Sequence, residues 1–206
     1  MMLKKSQVEV LNVFRKDIFT SKSIRELSLL IKKDYPTVHR AVKELSKMKI
    51  LKIKKVGKAS ICELSFSPDA ISTLAFLDEQ EAFPRKIPNM DKVLEFREFL
   101  EDIIIVTGSY AKGKETGKSD IDLAIITAGN AFNKQKLIET LASLFIPKIH
   151  PIVVTKKDFI DMLKDKKPNF GKEIFKNKLI FRNASLYYLL IKEAIENGFR
   201  GWIVSD

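Results

Sequence analysis

The most constraining feature of the chain is a Gly-Ser pair between an aliphatic run and an Asp-x-Asp pair. Ile103–Val106 leads into Gly108 and Ser109, and ten residues separate Ser109 from Asp120, where Asp120 and Asp122 open a second apolar run. Carboxylates two positions apart on a strand face the same side, where they can hold a divalent cation. A Gly-Ser turn at a strand end offers N–H groups and a hydroxyl to a phosphate. The pattern therefore indicates a combined metal and phosphate site at the ends of two strands.

This pattern resembles the signature of the minimal nucleotidyltransferases of the DNA polymerase β superfamily. The resemblance rests on Gly108, Ser109, Asp120 and Asp122 at the family's spacing. It implies a small mixed sheet with flanking helices, an NTP as substrate or ligand, and Mg²⁺ (or Mn²⁺) as the metal. Asp120 and Asp122 are then the catalytic metal ligands. Gly108, Ser109 and Lys112 are then the nucleotide-binding residues, although a loop lysine such as Lys112 is often simply solvated.

The third acidic residue that usually completes the metal site in this superfamily is missing. The strand that would supply it, 148–154, contains neither Asp nor Glu. Because side chains alternate along a strand, His150 and Ile152 share one face, and either one could occupy the position of the missing carboxylate. An imidazole there can ligate a transition metal or act as a base, but it is a poor Mg²⁺ ligand. The alternative is a strand-end histidine bonded to backbone, so the sequence leaves catalytic activity open.

Positive charge is concentrated at the start of the chain. Residues 1–65 contain 16 Lys and Arg against 6 Asp and Glu, whereas residues 66–206 contain 21 against 20, within a formal net charge of +11. Such asymmetry predicts that the N-terminal part meets a polyanion, either nucleic acid or a membrane surface. No amphipathic stretch outside the predicted core combines bulky apolar residues with a basic face, so we expect no membrane partner.

The N-terminal part has the pattern of three helices followed by a hairpin. Apolar residues at helical spacing predict helices over 6–14, 21–31 and about 36–48, and two strand-like runs follow at 50–56 and 59–65. Pro36 suits the first turn of the third helix. This order resembles a winged helix-turn-helix of the kind found in MarR- and ArsR-like regulators. The alternative is a winged helix that docks a protein and carries its lysines as a solvated face.

The resemblance implies binding to double-stranded DNA, with the third helix entering the major groove by its N-terminal part. On that helix the residues placed to reach bases or phosphates are Thr37, His39, Arg40 and Lys43. On the hairpin the residues expected to meet backbone phosphates are Lys52, Lys54, Lys55 and Lys58. Winged-helix proteins commonly read paired half-sites, so we also expect a homodimer.

These patterns predict an α+β fold, with an N-terminal winged helix domain followed by a nucleotidyltransferase-type mixed sheet with flanking helices. We place the winged helix at 1–66, a helical linker at 67–89 and the nucleotidyltransferase-like domain at 90–206, the last opening with a helix over 90–100. The chain has no apolar run of membrane-spanning length and no signal-peptide core after its first lysines. With Cys62 as its one cysteine, it is expected in the reducing cytoplasm.

Three functions are compatible with the sequence. The first is a DNA-binding transcription regulator whose nucleotidyltransferase domain transfers NMP to a protein. The resemblance implies a toxin–antitoxin role for it, with a HEPN-type toxin as the protein partner. The second is a regulator whose domain senses nucleotide without catalysis, which the missing third carboxylate favours. The third is a transferase that modifies RNA and uses its basic domain to hold that RNA.

Overall fold

The structure is a computed structural model that describes residues 3–201. The described residues form two compact units. The first contains the residues up to Leu74 together with Arg200 and Gly201, and the second contains Ala75–Phe199. Within residues 3–201, no helix combines the length and apolarity that crossing a bilayer requires.

The first unit contains three helices and a three-stranded antiparallel sheet. Its elements in chain order are α1 (Lys5–Lys16), β1 (Lys22–Ser23), α2 (Ile24–Leu30), α3 (Tyr35–Lys47), β2 (Leu51–Val56) and β3 (Ala59–Leu64). The strands lie in the order β1-β3-β2. The sequence predicted the three helices and the hairpin but missed β1. A two-residue strand has no periodicity of its own and exists only because Lys22 pairs with Cys62 and Ser23 with Ile61.

Local capping sets the helix boundaries in this unit. Ser23 caps α2 by accepting a hydrogen bond from the N–H of Glu26, and the Glu26 side chain accepts one from the N–H of Ser23. Asp34 caps α3 in the same way through the N–H of Thr37, and Pro36 lies in the first turn. One face of α3 is buried, through Val38, Ala41, Val42 and Leu45. The opposite face of α3 is therefore left for solvent or a ligand.

A long helix, α4 (Pro68–Ala82), follows the hairpin and contains the point at which the two units divide. This is the helix that the sequence predicted within the linker. A short 3-10 turn at Phe83–Arg85 and α5 (Met90–Glu95) come next. The helix predicted over 90–100 is wrong in its second half. Phe96 adopts an extended backbone and stacks its ring on Phe145 at 6.3 Å between centroids, which ends the helix at Glu95.

The second unit is built on a four-stranded mixed sheet with helices around it. Its remaining elements are β4 (Ile103–Val106), α6 (Gly108–Lys112), β5 (Ile121–Thr127), α7 (Ala131–Leu141), β6 (Ile149–Thr155), α8 (Lys156–Lys164), α9 (Phe170–Lys176), β7 (Leu179–Arg182) and α10 (Ala184–Glu196). The strand order is β6-β5-β4-β7, with β5 and β6 parallel and the other pairs antiparallel. The predicted α+β class and mixed sheet are confirmed.

Strand direction brings several chain segments to one end of this sheet. Val106, the last residue of β4, pairs with Leu123 near the start of β5 and with Leu179 at the start of β7. On the other side of β5, Asp122 pairs with His150 near the start of β6. The end of β4 therefore lies at the same end of the sheet as the beginnings of the other three strands, and the segments that precede those strands meet there.

Candidate functional site

In the candidate site, the backbone of Gly108 lies directly against the side chain of Asp122. Its φ is +63°, a left-handed conformation, and a Cβ atom added to it would lie 1.9 Å from Oδ2 of Asp122. The N–H of Thr107 donates to the carbonyl oxygen of Asp122 at 2.9 Å, which fixes the two strand ends against each other. Only glycine fits here, for its backbone conformation and for the space that the carboxylate occupies. Gly108 and Asp122, which are separated along the chain, are therefore in direct contact in the fold.

Ser109 lies in a short helix, where the sequence predicted a turn. The helix α6 begins at Gly108 and ends at Lys112, and it is followed by Gly113, which also has a φ of +63°. Ser109 is half-buried, and its carbonyl oxygen accepts a hydrogen bond from the N–H of Lys114. The N–H groups of this first turn have no acceptors further back in the helix, as at any helix start. The predicted phosphate-binding turn is therefore the first turn of a short helix.

The two signature carboxylates differ in their setting. Asp122 lies within β5, but Asp120 precedes the strand, which begins at Ile121. The prediction that both lie on the strand is therefore wrong for Asp120. The Asp120 side chain is 42% exposed, and its Oδ2 lies 3.5 Å from Nε2 of His150. His150 also pairs with Asp122 in the sheet, so it lies next to the positions of both aspartates.

His150 therefore lies beside the signature pair, on a strand that contains neither Asp nor Glu. Its neighbour on the same face, Ile152, is 42% exposed and offers no ligand atom. Among the described residues, no group of three His, Cys, Asp or Glu side chains converges as a metal site. Mg²⁺ usually binds through one or two carboxylates together with waters and substrate phosphates. The donors present, two aspartates at a phosphate-suited turn, fit such a site and do not form a complete protein cage.

Lys112 has a partner that the sequence did not reveal. Its Nζ lies 2.7 Å from Oε1 of Glu173 on α9, and the side chain of Asn177 donates to the same oxygen at 3.1 Å. The hydrogen bond from Lys112 is the main cause that lowers the pKa of Glu173. One sequence signal was available, because Glu173 is the single acidic residue within 166–192. Its connection with Lys112 depends on the sheet bringing α9 to the end of β4.

The exposed side of α3 carries the residues predicted to bind DNA. Arg40 and Lys43 are exposed, whereas Thr37 and His39 are half-buried. The rings of His39 and Tyr35 stack at 5.8 Å between centroids. A shallow groove runs along this side, lined by Pro36, His39, Arg40, Lys43, Glu44 and Lys47. The structure thus places His39, Arg40 and Lys43 along one groove, while Thr37 lies outside its lining and gives its N–H to the cap.

The hairpin lysines are exposed but not equivalent. Lys54 forms an ion pair with Glu63 on the neighbouring strand, with 2.6 Å between Nζ and Oε2. That hydrogen bond is the main cause that lowers the pKa of Glu63. Among the described residues, Lys52, Lys55 and Lys58 form no ion pair. Three of the four lysines predicted to meet phosphates are therefore cations without an ion-pair partner in the described part of the chain.

The chain matches two family models, one in each of the two compact units. Residues 93–185 match the family model described as polymerase beta, nucleotidyltransferase. This match covers the whole four-stranded sheet and the signature residues, and it supports a nucleotidyltransferase domain in the second unit. Residues 2–72 match a separate family model, named HVO_A0114. No curated protein and no solved structure matches the chain.

Proposed function

We propose that the protein is a DNA-binding regulator whose second unit binds Mg-NTP and transfers NMP to a protein. The observation that carries the proposal is the contact of the Asp122 carboxylate with the Gly108 turn, inside the segment that matches the polymerase β nucleotidyltransferases. A carboxylate held against a turn with free N–H groups brings a cation ligand next to phosphate donors. A phosphate with a bound metal ion is the kind of ligand that uses both the carboxylate and the N–H groups.

The proposed chemistry assigns each residue a separate task. Asp120 and Asp122 hold the divalent cation, which when bound supplies positive charge to the attacking and leaving oxygens. The Ser109 hydroxyl and the N–H groups beside it bind the outer phosphates, together with Lys112. A protein hydroxyl attacks the α-phosphorus, its bond to the β-phosphate oxygen breaks, and pyrophosphate leaves. Nε2 of His150 accepts the proton of the attacking hydroxyl.

The first unit is proposed to be the winged helix that holds duplex DNA. Support comes from the element order, from the exposed cations Arg40 and Lys43 on α3, and from Lys55 and Lys58 on the hairpin. In this arrangement α3 enters the major groove, with Thr37 and His39 at its N-terminal part, and the hairpin meets backbone phosphates. Two copies of the chain would bind paired half-sites, and a HEPN-type toxin is the proposed acceptor protein.

One observation favours a second candidate, a regulator that senses nucleotide without transferring it. The histidine at the position of the third carboxylate is a poor Mg²⁺ ligand. The cation that activates the attacking hydroxyl would be held more weakly than the one that binds the phosphates. In that case the site keeps Mg-NTP and loses the transfer step.

Label transfer distinguishes these candidates. The full-length protein is incubated with each α-³²P-NTP, Mg²⁺ or Mn²⁺, and lysate of its own host, beside the Asp120→Ala/Asp122→Ala variant. A labelled protein band that the variant lacks supports the transferase, and a labelled RNA band moves the assignment to an RNA-modifying enzyme. No band with any NTP, from protein that binds Mg-NTP and duplex DNA, supports the nucleotide sensor.

Duplex DNA and tRNA are then compared as ligands over a range of salt concentrations, because phosphate contacts make affinity salt-dependent. Preference for the duplex is the expected result. Equal or tighter binding to tRNA contradicts the DNA-binding assignment.

A further inference from the structure

Three polar side chains link α9 to the short helix that opens at Gly108. Asn177 donates to Oε1 of Glu173 at 3.1 Å, and the same oxygen lies 2.7 Å from Nζ of Lys112. The N–H of Asn177 also bonds to the carbonyl oxygen of Glu173, at 2.9 Å. The carboxylate is thus held from its own helix before it reaches across to Lys112.

Lys112 belongs to the phosphate side of α6. It lies three residues after Ser109 and four after Gly108, so these positions are neighbours on one face of the helix. Long helical side chains lean toward the N-terminus and cover the preceding turn. A phosphate bound at the Gly108–Ser109 turn is therefore within the range of a lysine at this position. The carboxylate that holds this lysine stands at the same end of the sheet.

The ion pair is too exposed to be explained by stability alone. Lys112 and Glu173 are 39% and 38% exposed, and pairs of this kind contribute little to folding. A lysine ammonium has three N–H donors, and Glu173 takes one of them, which leaves two for phosphate oxygens. A free lysine loses considerable side-chain entropy when it is fixed on a ligand. In protein kinases a Lys–Glu ion pair holds the phosphate-binding lysine in this manner.

We propose that Glu173 is a positioning residue for nucleotide binding, which holds the Lys112 ammonium toward the outer phosphates while Asn177 holds Glu173. The proposal rests on the proposed function and adds α9 to the nucleotide site. Its effect acts through Lys112, so it concerns affinity for the triphosphate and not the chemical step. Because the contact is to phosphate, it is independent of the base of the NTP.

The test measures binding to the full-length protein in the presence of Mg²⁺, with each of the four NTPs and with inorganic tripolyphosphate as probes. Glu173→Gln keeps the shape of the side chain and removes its charge. We expect it to weaken binding of NTP and of tripolyphosphate about fivefold, the scale of one ordered charged contact. Glu173→Asp, which keeps the charge on a shorter stem, should fall between the wild type and Glu173→Gln. If transfer occurs, KM should rise and kcat should stay unchanged.

Two comparisons make the result specific. In a Lys112→Met background, Glu173→Gln should have no further effect, because the positioned group is gone. Glu196→Gln, which removes an exposed glutamate paired with Lys192 on α10, should leave binding unchanged.

Unchanged or tighter binding by Glu173→Gln overturns the proposal, and tighter binding would mean that Glu173 competes with phosphate for Lys112. An equal loss with and without Lys112 also overturns it, since the role would then be structural. If the wild type binds no Mg-NTP, the proposed function itself fails, and the positioning role fails with it. Binding by the wild type with an unaffected Glu173→Gln removes the positioning role alone.

Discussion

The charged residues at the two candidate sites, one in each unit, are arranged in different ways. In the first unit, Lys55, Lys58 and Lys43 stand exposed, and no carboxylate contacts them among the described residues. In the second unit, Lys112 is paired with Glu173, and the Asp122 carboxylate leaves no room for a side chain at Gly108. Uncompensated surface cations suit a ligand whose charge is spread along its length, such as a nucleic acid backbone. A carboxylate fixed against backbone suits a compact ligand with one defined position.

This difference predicts how each unit responds to mutation. A surface of separate cations loses affinity in small steps, because each lysine contributes independently and long-range charge remains. A site with one fixed geometry loses function at once when a backbone contact shifts, since a displacement of about 1 Å can cost on the order of 100-fold in rate. Substitutions in each unit test this contrast, beginning with the largest expected effect.

Gly108→Ala should strongly weaken Mg-NTP binding. The added Cβ would meet Oδ2 of Asp122 at 1.9 Å and would also occupy a left-handed backbone conformation. Displacement of the carboxylate should weaken binding on the order of 100-fold, the scale expected for a misplaced ligand group. Isothermal titration of the full-length protein with Mg-NTP measures the loss, and duplex DNA binding should be unchanged.

Gly57→Ala provides the matched control for that substitution. Gly57 has a φ of +57° but no atom lies within 4 Å of its added Cβ, so alanine there meets the backbone strain alone. We expect a loss of about 1–2 kcal/mol in the free energy of unfolding of the first unit and unchanged Mg-NTP affinity. If Gly108→Ala behaves like Gly57→Ala, the close contact has no functional consequence and the comparison of the two units fails.

The double substitution Arg40→Ala/Lys43→Ala should give the second largest effect, on duplex DNA. Each residue is expected to make one base or phosphate contact, and the loss of one good base contact, about 1–3 kcal/mol, should by itself weaken binding roughly 10- to 100-fold. The slope of log K against log salt should fall by about 1 for each of the two residues that contacts a phosphate, because each phosphate that a cation neutralises contributes about 0.9 to it. Fluorescence anisotropy over a salt series measures both quantities.

The same titration with Lys192→Ala tests whether net charge alone explains the loss. Lys192 is a half-exposed lysine on α10 in the second unit, paired with Glu196. This variant should bind duplex DNA as the wild type does. An equal loss in the two variants would show that α3 has no special position, and Mg-NTP affinity should stay constant in both.

The hairpin offers a finer test, because its lysines differ in their ion-pair partners. Lys54 is already paired with Glu63, whereas Lys55 has no partner among the described residues. Lys55→Ala should therefore weaken duplex binding about threefold and lower the salt slope by about 1, while Lys54→Ala should change both less. Glu63→Gln should strengthen binding by freeing Lys54. Equal effects of Lys54→Ala and Lys55→Ala would mean that DNA displaces Glu63.

The sequence predicted the parts of this molecule that depend on spacing along the chain. Helical periodicity predicted α2 and α3, with Pro36 in the first turn of α3, and the position of Gly108 and Asp122 predicted two adjacent strand ends. The short helix at Gly108 was missed because a five-residue helix leaves no periodic pattern. The strand β1 was missed for the same reason, since its pairing with β3 is formed only in the folded unit.

The parts that could not be predicted depend on contacts between distant segments. Glu173 reaches Lys112 only because β7 lies antiparallel beside β4, which brings α9 to the signature end of the sheet. The early end of α5 depends in the same way on the packing of Phe96 against Phe145. Residue type and local spacing contain no information about such a pairing until the strand order is known. The contact between the Gly108 turn and Asp122 could therefore be predicted, whereas the pairing of Glu173 with Lys112 could not.

The edge strand β6 gives the smallest predicted effect on ligand binding, and it separates stability from ligand binding in the second unit. The side chain of Gln135, on α7, donates to the carbonyl oxygen of Pro151 at 2.8 Å and accepts from the N–H of Val153 at 2.8 Å. One amide side chain thus satisfies the outer edge of β6 as a peptide group of a neighbouring strand would. The strand also carries His150, so this interaction fixes the backbone next to the site.

Gln135→Ala should lower the free energy of unfolding by about 1–3 kcal/mol, because two backbone groups lose their partner at an edge that is only partly exposed. Gln80→Ala, at an exposed position of α4, replaces the same residue type on a helix without this interaction and should have little effect on stability. Thermal unfolding of both variants measures the difference. Mg-NTP affinity should change less than twofold in Gln135→Ala, because the Asp122 carboxylate stays against the Gly108 turn and β6 keeps its pairing with β5. A large loss of affinity would mean that His150 and the edge strand β6 are part of the nucleotide site, together with the Gly108 turn.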